Sequence, residues 1–117
     1  MKVIADNGHV KVLKIVAVHD TGRTINTVMA EGQIEGSVVQ GIDYAFYEKL
    51  VLENGRESYD GFLDYKIPNV GDISEIETIL IETVGPHGPI GAKGIGKPGL
   101  VPTAAAITNA IYNASGI

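Results

Sequence analysis

A glycine-rich loop running straight into a helix constrains this chain most. Six glycines fall between Gly85 and Gly99, and within that span lies Gly91-Ala92-Lys93-Gly94-Ile95-Gly96-Lys97-Pro98. Glycine lets a backbone approach a ligand closely and take up positive φ. The first turn of a helix adds unpaired N–H groups and a positive dipole end. Loop and helix together make a natural site for phosphate or another anion. Gly91-x-x-x-x-Gly96-Lys97 follows the start of a phosphate-binding P-loop, but that pattern next needs Ser or Thr. Pro98 stands there instead, with no hydroxyl and no N–H to lend to a phosphate cradle.

The rest of the chain reads as an α+β fold, an antiparallel or mixed sheet with a long glycine-containing helix and a C-terminal helix. Val3–Ala5 and Val10–His19 read as strands joined by the hairpin signal Asp6-Asn7-Gly8. A helix is expected over about Thr27–Tyr47, capped by Asn26 or Thr27, with Glu31 in an early turn. It carries Gly32, Gly36 and Gly41, each costing roughly 1 kcal/mol relative to alanine. Such a helix needs something close against its backbone, either a neighbouring element or a bound cofactor. Leu50–Glu53 reads as a strand, and Asn54-Gly55 turns it back toward Ser58 and Tyr59. Pro68, Asn69 and Gly71 break any pattern after Phe62. Glu75–Thr83 alternates as a strand, and Pro102–Ala114 reads as a helix stopped by Ser115-Gly116.

Composition narrows the function. The 117 residues are enough for one domain, 1–117, and too few for two. A net charge of −5, with no basic run, excludes non-specific nucleic-acid binding. Lys11 and Lys14 are expected to be solvated. With no cysteine there is no disulfide, thiolate nucleophile or iron–sulfur ligand in this chain. No stretch has the apolar length of a membrane span. The first residues turn polar too soon for a signal peptide, so a cytoplasmic location is expected. His9, His19 and His87 fit no metal-ligand spacing, and no metal ligand is assigned. His87 sits in the glycine loop and could face a ligand, while His19 and Asp20 point to opposite faces of a strand. Glu31 and Glu35 share a helix face that is expected to be solvated. Gln40 would be a surface residue on spacing alone. Buried beside a ligand, its amide could both donate and accept.

Several segments, in order, resemble one family. Glu31-Gly32-Gln33-Ile34-Glu35-Gly36-Ser37-Val38-Val39-Gln40-Gly41 resembles the EGQxEGxxxQG segment of molybdenum hydroxylases, the family of xanthine dehydrogenases, aldehyde oxidases and nicotinate dehydrogenases. His19–Asn26 resembles the segment just upstream. Asp64-Tyr65-Lys66-Ile67-Pro68 with Asp72-Ile73 resembles the family's DYKxP…D stretch, and Gly91–Pro98 its GAKGxGEP loop. The match is to the C-terminal end of the molybdopterin-binding large subunit.

The resemblance implies hydroxylation of a carbon on a heterocycle or aldehyde, with water as the oxygen source. It implies a molybdenum–molybdopterin cofactor shared with residues upstream of this chain. Iron–sulfur clusters and FAD would lie on partner domains or subunits, and the substrate would be a small molecule. It matches Gln40 to the glutamine contacting the molybdenum centre, and Gly94, Ile95 and Gly96 to the backbone lining it. In the family a loop glutamate accepts a proton from a hydroxyl on the metal; here Lys97 occupies that catalytic position. A lysine ammonium has no lone pair for a proton. It would have to be held neutral by burial or nearby positive charge to act as a base, and an anionic cofactor favours the charged form. The chain as written is therefore not expected to support normal hydroxylation. A non-catalytic relative, acting as a binding or assembly module, is the alternative. Isolated, the chain is expected to expose apolar surface and to self-associate or rely on the remaining subunit portion.

Overall fold

A computed structural model describes residues 2–6, 8–58, 61 and 63–116. Strand β1 (Lys2–Asp6) turns back into β2 (His9–Asp20), with Asp6 opposite His9. Gly8 takes the positive φ, 82°, that this tight turn demands; Asn7 lies outside the described residues. Asn26 then caps helix α1 (Thr27–Phe46), its side chain accepting from the Met29 N–H at 3.1 Å. Glu31 falls beyond the first turn, which carries no acidic residue. A two-residue hairpin, β3 (Leu52–Glu53) and β4 (Arg56–Glu57), turns on Asn54-Gly55, both at positive φ. It is shorter than expected, and Tyr59 and Phe62 lie outside the described residues. After a single 3₁₀ turn, Val70–Asp72, the chain enters β5 (Glu75–Ile81), and helix α2 (Leu100–Ser115) closes it. Gly116, at φ 75°, ends α2 as expected.

The sheet is mixed, in the order β1-β2-β5. β1 runs antiparallel to β2, and β5 runs parallel to it. A parallel partner needs a crossover, and α1 lies on that crossover. One sheet face supplies Val12, Ile15 and Ala17 of β2, with Ile76 and Leu80 of β5. Ile34, Val38 and Ile42 of α1 and Ile107 of α2 cover it, making the buried core. The other face stays bare. Val16, Val18, Ile79 and Ile81 lie there, Val18 directly opposite Ile79, and all four are exposed.

Lys14 departs from the solvated role expected of it. It bridges the sheet, pairing with Glu75 at 2.9 Å and Glu77 at 2.7 Å. Hydrogen bonds to Glu77 and Glu75 push its ammonium well above the usual lysine range. The parallel register that sets Lys14 beside Glu75 is the cause, and neither residue's neighbours in sequence announce it.

The fold is open for its size. Its solvent-accessible surface is 8239 Å², against about 6100 Å² for a compact monomer of this mass. The radius of gyration is 16.9 Å, where about 13 Å is usual. Among the described residues no helix is long and apolar enough to cross a membrane.

Candidate functional site

The glycine loop is held at two places, and each hold has a separate chemistry. Its first half is clamped to the turn after β2. Gly91 O accepts from Arg23 N at 3.0 Å and Gly85 N at 2.9 Å, and Lys93 N donates to Thr21 O at 3.0 Å. This close backbone approach requires Gly22, because a Cβ there would meet Gly91 O and lie 2.9 Å from Lys93 Cγ. Asp20 is the hub. Its carboxylate accepts from the Lys93 ammonium at 2.6 Å, the Thr83 hydroxyl, and the N–H groups of Gly22 (3.0 Å) and Thr83 (3.2 Å). The Lys93 ammonium, then the Thr83 hydroxyl and the Gly22 N–H, hold this carboxyl well below the usual range.

The second half of the loop lies along α1. Gln33 and Gln40 are two helical turns apart and so share a side of α1. Gln33 Nε2 donates to Gly96 O, and the Lys97 ammonium donates to Gln40 Oε1. Between them Gly99 packs close to Ser37 Cβ and Ile34 O, at 3.0 Å from where its own Cβ would stand. Gln40 is half-buried, not the surface residue that spacing alone indicates, and Lys97 is exposed. Ile95 packs against the core cluster.

The helix glycines divide between the two explanations open to them. Gly41 is a packing glycine: a Cβ there would collide with Thr103 Cβ and stand 2.7 Å from Thr103 Cγ2. Gly32 and Gly36 face open space, with nothing within 4 Å of an added Cβ. Gly94 and Gly96 of the loop are equally open. A neighbouring element therefore accounts for Gly41 alone.

The structure thus brings Lys97 to Gln40 and Gly96 O to Gln33, while Gly94 and Ile95 make no hydrogen bond to Gln40 among the described residues. His87 is exposed, and His19 lies in a separate groove between β2 and α2. Gln33 escaped sequence reasoning as a loop tether, although its seven-residue offset from Gln40 is a usable signal. The Asp20–Thr83–Lys93 cluster left no local signal, since its members are up to 73 residues apart. Among the described residues no cluster of His, Asp or Glu could hold a metal ion.

The donor set can be tested against an anionic, oxo-bearing metal cofactor. With Gln40 Oε1 occupied by Lys97, the amide Nε2 is left as a donor, and the ammonium keeps further N–H groups. Both suit an anionic group, and the open glycines give it room. Neither Gln40 nor protonated Lys97 suits proton acceptance.

The sequence profile of the molybdopterin cofactor-binding domain matches residues 1–74. The xanthine dehydrogenase molybdenum-binding subunit of Escherichia coli O157:H7 is 36% identical over 92% of this chain and 15% of its own length. The nicotine 6-hydroxylase large subunit of Paenarthrobacter nicotinovorans is 42% identical over 92% of this chain and 13% of its own. Among solved structures, quinoline 2-oxidoreductase from Pseudomonas putida 86 superposes with a TM-score of 0.87 at 31% identity, over 92% of this chain and 14% of its own. The chain spans about a seventh of these relatives. A profile match over residues 1–74, joined to likeness in sequence and fold across nine-tenths of the chain, makes it a member of the molybdopterin-binding family of molybdenum hydroxylases, corresponding to a C-terminal part of their large subunit.

Proposed function

We propose that residues 1–117 act as one domain of the large subunit of a xanthine dehydrogenase-like oxidoreductase, closing one side of its molybdopterin site. The whole assembly hydroxylates a heterocycle or aldehyde with water as the oxygen source. Iron–sulfur and flavin subunits carry the electrons away. The observation that supports this reading is the Gln40–Lys97 pair, beside open glycines on both the helix and the loop.

When bound, the cofactor supplies a two-electron acceptor and activates water. The chain's own residues orient. Gln40 Nε2 would be free to donate to an anionic group, with Gln40 Oε1 taken by the Lys97 ammonium. Gly94 and Gly96, whose added Cβ positions meet nothing within 4 Å, would line the group with backbone. A lysine ammonium at position 97 has no lone pair with which to take up a proton, the task of the family glutamate.

Two measurements test this. Protein purified with its native partners should contain stoichiometric molybdenum and pterin, by elemental analysis and oxidised-pterin fluorescence. Lys97→Glu in the complete assembly should raise turnover by orders of magnitude, about the 10²–10⁴-fold that a general base contributes. Cofactor without any gain from Lys97→Glu would overturn the reading that a missing base limits the reaction. Absence of cofactor with partners present would favour the second reading, a non-catalytic binding or assembly module, which the exposed Lys97 in the glutamate position supports.

A further inference from the structure

Residues 96–99 meet α1 at three places, and the three partners lie on one stripe of that helix. Gln33, Ser37 and Gln40 are spaced i, i+4, i+7 and so share a face. Gln33 Nε2 donates to Gly96 O at one end of the stripe, and the Lys97 ammonium donates to Gln40 Oε1 at the other. In the middle sits Gly99, where a Cβ would stand 3.0 Å from Ser37 Cβ and from Ile34 O. Ser37 is 2% exposed, and its hydroxyl donates to Gln33 O at 2.7 Å. The backbone that carries the Gln33 amide is thus tied to the residue on which Gly99 rests. The loop is stiffened from its own side too. Leu100 N donates to Lys97 O at 3.2 Å, closing a turn with Pro98 at its second position. Proline presets φ there, the position such turns favour. Pro98, which denies the loop a phosphate cradle, serves this turn instead.

We propose that Gln33 and Ser37 are positioning residues: they seat Gly96 and Gly99 on α1, so that the side chain at position 97 is delivered to Gln40. The backbone of residue 97 is then held on both sides, by Gln33 at Gly96 and by Ser37 at Gly99, and at its own carbonyl by Leu100 N. Its side chain is the part left to act, and it ends on Gln40. The seat itself stands on the geometry of this chain. Its use in a reaction rests on the reading of Gln40 and position 97 as part of a molybdopterin site. There a preset backbone matters, because a misplacement of about 1 Å can cost a reaction roughly a hundredfold. Gln33 is the sharper of the two to test, since it is exposed and its truncation opens no core cavity.

The test uses the full chain assembled with its native partners. Trace acetylation with acetic anhydride, read lysine by lysine by mass spectrometry, follows how freely each ammonium leaves its partner. Gln40→Ala gives the rate of a released Lys97, which should exceed the parent's at least about threefold. Gln33→Ala should raise Lys97 labelling toward that rate. Lys14 and Lys93 should stay unchanged, because their partners are Glu75, Glu77 and Asp20. Gln33→Arg, which keeps N–H donors for Gly96 O, should label like the parent. Unchanged Lys97 labelling in Gln33→Ala would overturn the proposal, as would a rise shared by Lys14 and Lys93, which marks general loosening. Should Gln33→Ala fail to assemble, Ser37→Ala, which removes the bond to Gln33 O, should raise the same labelling; no rise there would equally overturn it. In the Lys97→Glu assembly, Gln33→Ala should lower kcat at least about tenfold with KM and pterin content unchanged. A loss of pterin content instead would make Gln33 a cofactor-holding residue and overturn its positioning role. No gain from Lys97→Glu alone would remove the missing-base reading and leave the labelling to decide the seat.

Discussion

At the scale of single residues, the helix glycines offer the sharpest contrast. Gly41→Ala would drive a methyl into Thr103 and should destabilise the chain by about 1–3 kcal/mol, the usual penalty for overpacking. Gly36→Ala meets open space in the same helix and should raise stability by roughly 0.5–1 kcal/mol. Thermal melts of the two variants check both signs. If Gly36 is kept small for a ligand, the stabilised variant should also lose cofactor content when assembled. Equal effects of the two substitutions would refute the division between packing and open glycines. Lys97 belongs to this scale as well. Its identity is plain in the sequence, but its partner is not: the 57 residues separating it from Gln40 are bridged only by the fold.

At the scale of elements, the loop's position depends on Asp20. A carboxyl held below its ordinary range contributes stability that is present above the unfolded value, about 3.9, and is lost as the pH falls below it. The sign is that of the usual ion-paired aspartate, and the contribution is screened because the group is exposed. Protection of the Gly91 and Lys93 amides, taken relative to intrinsic exchange at each pH, should therefore be high at neutral pH and fall below about pH 4. In Asp20→Asn that protection should be low already at neutral pH and change little on acidification. A variant as protected as the parent at pH 7 would show that the backbone bonds to Gly91 hold the loop alone. The elements themselves were largely legible. The Asn26 cap, the Asn54-Gly55 turn and the alternation of Glu75–Ile81 are local signals, and each lies where its chemistry puts it. What the loop is tied to was not legible, because Lys93–Asp20 and Gln33–Gly96 join residues far apart in the chain.

At the scale of the whole molecule, a parallel strand pair is usually buried on both faces. Here helices cover one face, while Val18 is 50% and Ile79 41% exposed on the other. The isolated chain should accordingly bind an apolar-surface dye and self-associate as its concentration rises, by fluorescence and analytical ultracentrifugation. Assembly with the rest of the subunit should abolish both signals. A compact monomer that binds no dye would contradict this account of the bare sheet.

The sequence by itself determined the order of the elements, the caps and turns that bound them, and the family motifs around Gln40 and Lys97, because these depend on neighbours a few residues apart. The tertiary structure alone decided that β5 pairs parallel to β2, that Lys14 is an ion-pair residue, that Gly41 packs while Gly36 does not, and that Lys97 donates to Gln40. Those outcomes follow from which faces meet when distant segments pack, and the physical reason they escape the sequence is that no local propensity encodes a contact between residues dozens of positions apart.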